Sequence, residues 1–453
     1  MSGIDRTRVP EPGEVVAFEF PAVQRRGLDN GLALLTARHG QFPLVTAVLV
    51  LDAGAAGEPA DKAGLAHLTA NALEAGTRSR SGEELAWALE RLGVEFTAEA
   101  SWDAVSLAIT VPRQRLEPAL ELFAEIVRQP AFPEDEIARL RDEQLASILQ
   151  RQKEPRALAN DMAARFIFDP DVPYARPLIG LQTSVAGLTR DDVDAYYRAN
   201  FQPAGGTLIM VGDIDPDAAA ALAERHFGDW AAAPRRAVDF HVRRRVEKTT
   251  IFVVDRPDAV QSEIRIGDVG VPRHHEDYFP LLVMNCILGG AFTSRLNLSL
   301  RERHGFTYGA RSGFAFRRQP GPFIIQVAVA TDVTAPAVRE ALREVNALRE
   351  HGATPDEVSA ARDYLAGILP LELQTTEQLA ARLADLAVFS LPDDYFQHYP
   401  ARIAAVDADD VRRVANEHLR PDRLAIVVVG DAQRVAPELE ALGLGPVEVH
   451  TIT

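Results

Sequence analysis

Short apolar runs bounded by turn residues are interspersed with stretches of helical periodicity along most of the chain. Residues 44–53 and 104–111 are rich in aliphatic and β-branched side chains, and both are predicted to be strands. Asn30 and Gly31 form a dipeptide that is typical of a hairpin turn between apolar runs. Because strands and helices are mixed rather than strictly alternating, the pattern predicts an α+β fold.

Four segments of the first half have helical periodicity: 63–75, 83–92, 113–129 and 135–152. The second of them runs into Gly93, a residue that favours the left-handed conformation of a helix C-cap. A further strand is predicted at 94–100, paired with the strand at 104–111 through a short polar turn.

One pattern occurs twice, at an offset of 218 residues. Residues 189–213 read TRDDVDAYYRANFQPAGGTLIMVGD, and residues 407–431 read DADDVRRVANEHLRPDRLAIVVVGD. Each copy has an acidic start suited to a helix N-terminus, then a proline that ends the helix, then a buried apolar strand. A period this long is too large for a solenoid and predicts two homologous halves. We expect the halves to span 1–233 and 246–453, with a linker at 234–245.

The composition is that of a folded globular protein, with 453 residues that are 47% hydrophobic and 25% charged. Its net charge is −17, and no basic cluster is larger than Arg243-Arg244-Arg245, which argues against nucleic-acid binding. The single cysteine, Cys286, excludes an intrachain disulfide and a cysteine-type metal site.

Neither a secretion signal nor a membrane span is expected from the sequence. The N-terminal residues lack the apolar core of a signal peptide, and the longest apolar run, Leu44–Leu51, is too short to cross a bilayer. We therefore expect a cytoplasmic location and no membrane partner.

Residues 64–77 read GLAHLTANALEAGT and resemble the pitrilysin family of zinc metallopeptidases, which includes insulin-degrading enzyme and the mitochondrial processing peptidase. Active members carry His-x-x-Glu-His on a helix, where both histidines bind zinc and the glutamate is the general base. Here the three positions are His67, Ala70 and Asn71. Alanine cannot accept a proton, and a neutral amide is a poor zinc ligand. The resemblance thus implies a zinc motif that has lost its base and its second ligand.

The third zinc ligand of the family is a glutamate on a later helix. Counting from the motif places that position at Ile148, and aligning on Pro155 places it at Ser147. The nearest carboxylate, Glu143, lies about one helical turn away. One histidine and one displaced glutamate fall short of the usual three protein ligands, so we expect this chain to bind no zinc. A zinc peptidase with other ligands is the alternative that metal analysis would reveal.

Residues 286–313 read CILGGAFTSRLNLSLRERHGFTYGARSG and closely resemble the second-half segment of the same family. By that resemblance, Arg301 and Tyr308 reach across a clamshell toward the zinc site of the other half. Such an arginine can donate to a peptide carbonyl, and such a tyrosine can stabilise an oxyanion. By spacing alone, the sequence favours a surface helix residue and a strand core residue, whereas the matched residues around them favour the functional interpretation.

The resemblance covers about residues 20–435 and implies two α/β-sandwich halves that form a clamshell. Some family members divide the work between two chains, one with the zinc motif and one without it. The sequence thus favours a non-catalytic subunit that is inactive alone. It would bind unfolded peptide, with the strand at 94–100 as an edge, and would supply Arg301 and Tyr308 to a homologous zinc-bearing partner. The alternative is a catalytically silent structural or interaction protein.

The run His274-His275-Glu276-Asp277 contains residue types that bind metals. It comes directly before an apolar helical run, a position where polar residues cap a helix. We therefore interpret these residues as capping groups rather than metal ligands.

Overall fold

The computed structural model describes residues 19–233 and 238–451, and within them twelve strands form two six-stranded sheets. The strands are β1 (Val23–Gly27), β2 (Ala33–Arg38), β3 (Leu44–Leu51), β4 (Glu95–Ala100), β5 (Val105–Pro112), β6 (Thr207–Gly212), β7 (Thr250–Asp255), β8 (Gln261–Val269), β9 (Ala310–Phe314), β10 (Pro322–Ala330), β11 (Ala425–Gly430) and β12 (Val447–His450).

Sixteen α-helices pack around the sheets in the same described residues. They are α1 (Leu65–Asn71), α2 (Gly82–Leu92), α3 (Leu116–Arg128), α4 (Glu134–Lys153), α5 (Pro155–Ile167), α6 (Gln182–Val185), α7 (Arg190–Asn200), α8 (Pro216–Phe227), α9 (Tyr278–Asn285), α10 (Arg295–Asn297), α11 (Thr334–His351), α12 (Pro355–Ile368), α13 (Thr376–Val388), α14 (Tyr395–Ala404), α15 (Ala408–His418) and α16 (Ala432–Glu440). Two π-helical turns, Cys286–Gly290 and Leu298–Arg303, flank α10.

The two sheets have matching strand orders, β1-β2-β6-β3-β5-β4 and β12-β7-β11-β8-β10-β9. In each sheet the central strand, β6 or β11, lies parallel to one neighbour and antiparallel to the other. All six residues of each central strand are buried, as expected for a strand covered on both faces. The predicted α+β fold with two homologous halves is therefore confirmed.

Each copy of the repeated sequence forms the helix and central strand that it predicts, α7–β6 and α15–β11. The same local physics starts both helices. The Thr189 side chain accepts a hydrogen bond from the backbone N–H of Asp192, and the Asp407 side chain accepts one from Asp410. These caps satisfy donors that a helix N-terminus leaves free. The hairpin predicted at Asn30-Gly31 also forms, since β1 pairs antiparallel with β2.

Each sheet is covered on one face by a helix from the opposite half. Helix α5 of the first half packs on β8 and β11, and its Phe166 ring stacks on that of Phe252 in the neighbouring β7, with centroids 4.1 Å apart. Helix α13 of the second half packs on β3 and β6, where the buried Thr46 hydroxyl donates to the Thr376 hydroxyl at 2.7 Å. Because aromatic rings bury large apolar areas, this exchange gives the two halves a shared core.

A polar network also joins the halves near the turn between β4 and β5. The Asp103 carboxylate accepts hydrogen bonds from the backbone N–H of Arg318 at 3.0 Å and from the Tyr174 hydroxyl at 3.3 Å. The Arg317 guanidinium lies over the rings of Trp102 and Tyr174, 4.9 and 4.2 Å from their centroids. Burial lowers the pKa of Arg317 to about 10, and it stays a cation at neutral pH.

The helical stretch Tyr278–Arg303 is long and apolar enough, by length and composition alone, to cross a membrane. Its most apolar window has a mean hydropathy of 1.3, and 56% of that window is buried inside the protein. Burial of this kind is what a core helix needs, and the expected absence of a membrane partner stays a prediction.

The predicted helix at 63–75 begins at Leu65 and continues as a 3₁₀ turn from Ala72 to Ala75. The predicted linker at 234–245 lies partly outside the described residues, which omit 234–237. Its described part runs along the first half, where the Asp169 N–H donates to the carbonyl of Arg243 at 3.0 Å.

Candidate functional site

Helix α1 carries the three positions of the altered zinc motif. It starts after Gly64, whose φ of +96° is easily adopted by glycine alone. His67 and Asn71 lie one turn apart on the same face, and the Asn71 amide donates to Nε2 of His67 at 3.1 Å. Burial lowers the pKa of His67, which keeps the imidazole neutral near pH 7. The Nε2 atom of His67 is therefore engaged by the neighbouring amide.

The general-base position of the motif is buried in apolar surroundings. Ala70 is 1% exposed and belongs to the apolar core of the first half. A carboxylate there would lose its hydration shell, which is costly without a paired partner.

The positions considered for a third ligand lie on α4 and offer none. Ile148 is buried in the core, and Ser147 is exposed. The Glu143 carboxylate accepts a hydrogen bond from Nη1 of Arg139 at 2.6 Å, an ion pair along the same helix. The residues at this position thus do not fit a zinc ion, and we derive no reaction step through one.

A buried amide that the sequence did not single out fastens α4 to α1. Nε2 of Gln144 donates to the carbonyl oxygens of Gly64 at 3.0 Å and Ile179 at 2.8 Å. These two hydrogen bonds connect α4 to the start of α1.

A buried acid, Glu58, caps the start of α1 and was also missed by the sequence. Its carboxylate accepts hydrogen bonds from the backbone N–H groups of Gly64 and Ala66. Burial raises the pKa of Glu58 to about 7, although both backbone donors and the nearby charge of Arg176 lower it.

A groove of about 820 Å³ lies beside Asn71. Helices α2 and α4 and the segment after α1 contribute five carboxylates and one arginine to its walls: Glu74, Glu83, Asp135, Glu136, Glu143 and Arg139. The groove therefore has an acidic lining, which favours basic or neutral ligands over anions.

Strand β4 is the outer strand of the first sheet and pairs only with β5 among the described strands. Its residues alternate, with Phe96 buried between the exposed Glu95 and Thr97. One row of backbone N–H and C=O groups is thus free for an added strand, as the interpretation of 94–100 as a peptide-binding edge requires.

Arg301 and Tyr308 lie on the surface of the second half. Arg301 is on the π-helical turn Leu298–Arg303, where its guanidinium lies 4.6 Å from the ring centroid of Phe292. Tyr308 follows in a bend before β9 and is 96% exposed. Tyr308 is therefore not a strand core residue. Within the described residues, no hydrogen bond joins Arg301 or Tyr308 to the motif on α1.

The expected capping role of residues 274–277 is wrong for Asp277. This residue occupies the N-cap of α9, yet its side chain makes no capping hydrogen bond. Its carboxylate instead contacts Nη2 of Arg413 at 2.7 Å and accepts from Nε2 of His418 at 2.8 Å. Burial opposes ionisation of Asp277, but these two partners outweigh it, and the pKa of Asp277 lies below its usual value. His418 was missed because it is distant in sequence.

Two family profiles match long segments of this chain. The profile of the Insulinase (Peptidase family M16) matches residues 34–172, and the profile of the Peptidase M16 inactive domain matches 187–365. Together these segments cover most of both halves. The chain belongs to the M16 insulinase family. The family resemblance seen in the sequence is thereby confirmed.

Relatives in the insulinase family match over nearly their full length. An uncharacterized zinc protease of Mycobacterium tuberculosis is 26% identical over 410 residues, which are 90% of this chain and 93% of that protein. A probable mitochondrial-processing peptidase subunit beta of Schizosaccharomyces pombe is 25% identical over an alignment 451 positions long, which spans 91% of this chain and 92% of that protein.

Solved structures confirm the two-part insulinase-family clamshell. The crystal structure of a peptidase M16 inactive domain from Pseudomonas fluorescens has a TM-score of 0.85 and 26% identity, and it covers 90% of this chain and 98% of that one. A Helicobacter pylori protease shares the fold with a TM-score of 0.84 at 20% identity over 91% of this chain.

Proposed function

We propose that this chain is a non-catalytic subunit of a two-chain zinc metallopeptidase of the insulinase family. The observation that carries the proposal is the contrast between α1 and the segment around Arg301. Helix α1 has one engaged imidazole and a buried alanine where chemistry needs ligands and a base. The second half, in contrast, exposes Tyr308 and has the Arg301 guanidinium over the ring of Phe292.

The arginine and the tyrosine would act in the partner's site. Nε of Arg301 lies 3.4 Å from Oε1 of Glu302, and the guanidinium over Phe292 keeps its two Nη groups as donors for a peptide carbonyl. A hydroxyl on a ring that is 96% exposed has no described hydrogen bond to break before it donates to a developing oxyanion. A tyrosine in that state loses little on entering a partner's cleft, because aromatic contacts are favourable at interfaces.

The first half would bind the substrate. The free edge of β4 can add an extended peptide as a further strand, which selects unfolded segments by backbone hydrogen bonds. The acidic groove beside Asn71 favours peptides with basic side chains. The catalytic zinc ion would belong to the homologous partner, and this chain would contribute no ligand to it.

The test is reconstitution with an insulinase-family homologue that carries an intact His-x-x-Glu-His motif and comes from the same organism. We expect the two purified chains to co-elute in size-exclusion chromatography. We also expect hydrolysis of a fluorogenic basic peptide to rise when they are mixed, while this chain alone has none. Failure to associate, together with unchanged peptide hydrolysis by the homologue, would sink the proposal.

The alternative, a purely structural or interaction protein, predicts association without help in catalysis. The variants Arg301→Ala and Tyr308→Phe separate the two. A structural subunit would assemble and support equal turnover with either variant, whereas the proposed role requires turnover to fall while assembly persists.

A further inference from the structure

Three groups that bind metals meet where α9 begins and α15 ends. His275 precedes α9, Asp277 occupies its N-cap, and His418 is the last residue of α15. One donor atom from each lies within 4.8 Å of the others. Oδ2 of Asp277 is 2.8 Å from Nε2 of His418 and 3.7 Å from Nδ1 of His275.

The spacing of these atoms is close to that of a tetrahedral metal site. Zinc ligands about 2.0–2.1 Å from the ion lie about 3.3 Å from each other. The two measured separations, 2.8 and 3.7 Å, fall on either side of that value. Small rotations of the two imidazoles would therefore bring the three atoms onto one ion.

A fourth group is at hand. Oε2 of Glu417 lies 4.0 Å from Nε2 of His418 and 3.2 Å from Nη1 of Arg413, so this half-exposed side chain would exchange the arginine for the ion. His275 and His418 are 30% and 15% exposed, which leaves a route for an ion from solvent, while Asp277 is 6% exposed. Two imidazoles and two carboxylates are a ligand set that suits zinc and its neighbours.

The local charge also favours a cation. Arg413 is the arginine that pairs with this cluster, and it contacts Asp277 at 2.7 Å, Glu417 at 3.2 Å and Asp410 at 3.6 Å. Three carboxylates around one guanidinium leave two negative charges uncompensated when the imidazoles are neutral. Arg413 contacts Oδ1 of Asp277 and leaves Oδ2 directed at the two histidines.

We propose that His275, Asp277 and His418, with Glu417 as the fourth ligand, form a binding site for a divalent transition-metal ion of the zinc type. The ion replaces the proton shared by Asp277 and His418 and the hydrogen bond from the Asp277 N–H to Nδ1 of His275, now 3.1 Å long. This site is separate from the altered motif on α1.

A metal here would brace two packed helices. Helix α9 packs directly against α15, and residues 291–294 separate it from the π-helical turn that carries Arg301. The ion ties the start of α9 to the end of α15, so binding stabilises the folded state over the unfolded chain. The effect does not depend on any partner or peptide.

The experiment uses the full chain, stripped with a chelator and desalted, and titrated with zinc alone by calorimetry. We expect one equivalent of bound zinc and a higher melting temperature. Cobalt should give the intense visible absorption of a tetrahedral complex.

Two variants and two controls define the site. His275→Ala and His418→Ala should each weaken zinc binding roughly tenfold or more. His398→Ala, which removes an exposed histidine paired with Asp394 at 3.2 Å on one helix, and His67→Ala should leave it unchanged. His275 is the more exposed of the two histidines. We therefore expect His275→Ala to fold even if His418→Ala does not, so the test remains possible. Absence of bound zinc, or full affinity in His275→Ala, would overturn the inference.

Discussion

The two halves share a strand order but differ in which polar side chains they expose. On α1 of the first half, Ala70 is buried and His67 is engaged by Asn71. The second half exposes Tyr308 almost completely and holds Arg301 over an aromatic ring. Duplicated halves thus keep their backbone while the polar groups they present diverge, because topology depends on buried apolar residues and chemistry on a few exposed ones.

The halves also differ at the start of the corresponding helices α1 and α9. A buried acid lies there in each, Glu58 in the first half and Asp277 in the second. Glu58 receives only neutral backbone donors at hydrogen-bonding distance, and burial raises its pKa. Asp277 has a guanidinium and an imidazole, and its pKa is lowered. The pKa values of the buried acids near the starts of these two helices are therefore shifted in opposite directions.

The largest expected effect comes from the second half. In the reconstituted enzyme, Tyr308→Phe should lower kcat by roughly 100- to 1000-fold, since loss of one oxyanion donor costs about 2.7–4 kcal/mol. Peptide hydrolysis at saturating substrate measures this change. Tyr364→Phe, on a half-exposed tyrosine of α12, serves as the matched control and should have no effect. Equal activity of both variants would contradict a role for Tyr308 in turnover.

The next largest effect is the pH dependence of the free energy of unfolding, which we attribute to Glu58 in the first half. Between about pH 4.5 and 7, folded Glu58 keeps a proton that the unfolded chain has released, so the free energy of unfolding falls as pH rises. The fall is about 3 kcal/mol and ends above the folded pKa. Denaturant titrations at several pH values should show the slope.

Glu58→Gln should flatten that slope, because a glutamine cannot ionise and still accepts a backbone hydrogen bond. Glu83→Gln, at an exposed position on α2, is the control and should retain the wild-type dependence. A slope that survives in Glu58→Gln would assign the titration to another group.

A smaller effect on stability is expected when a glutamate is introduced at position 70. Ala70→Glu should lower the free energy of unfolding by roughly 1–3 kcal/mol, because it buries a carboxyl group without a partner. Asn71→His, at the exposed neighbouring ligand position, should change it by no more than about 0.5 kcal/mol. Chemical denaturation of both variants checks the contrast, and a stable Ala70→Glu protein would show that α1 is more open than described.

The smallest effect concerns stability in the second half. Tyr308→Ala should alter the free energy of unfolding by less than about 0.5 kcal/mol, since the ring is almost fully exposed. Thermal melts of the isolated chain test it. A large loss would mean that the ring contributes to folding rather than to recognition.

Local patterns predicted much of this fold. The two copies around Asp192 and Asp410, the hairpin at Asn30-Gly31 and the central strands follow from capping, turn chemistry and apolar runs close in sequence. The altered motif at His67 and the exposed segment at Tyr308 were found by resemblance, because their chemistry depends on short spacings.

Features that depend on distant contacts were not predicted. Strand β12 takes the outer place that β1 has in the first sheet, but it runs parallel to its neighbour, which no local pattern encodes. Gln144 and His418 have roles only through partners on other elements. The capping expectation for Asp277 failed because Arg413 and His418 offer a charged alternative to the helix N–H groups.

The exchange of α5 and α13 has a consequence for how the polypeptide is made. During synthesis, the first sheet leaves the ribosome long before α13, the helix that shields one of its faces. Until α13 has been synthesised, the nascent first half therefore exposes an apolar surface of the kind to which chaperones bind. Because each half contributes a helix to the sheet of the other, the two fragments produced by cleavage between the halves would remain associated.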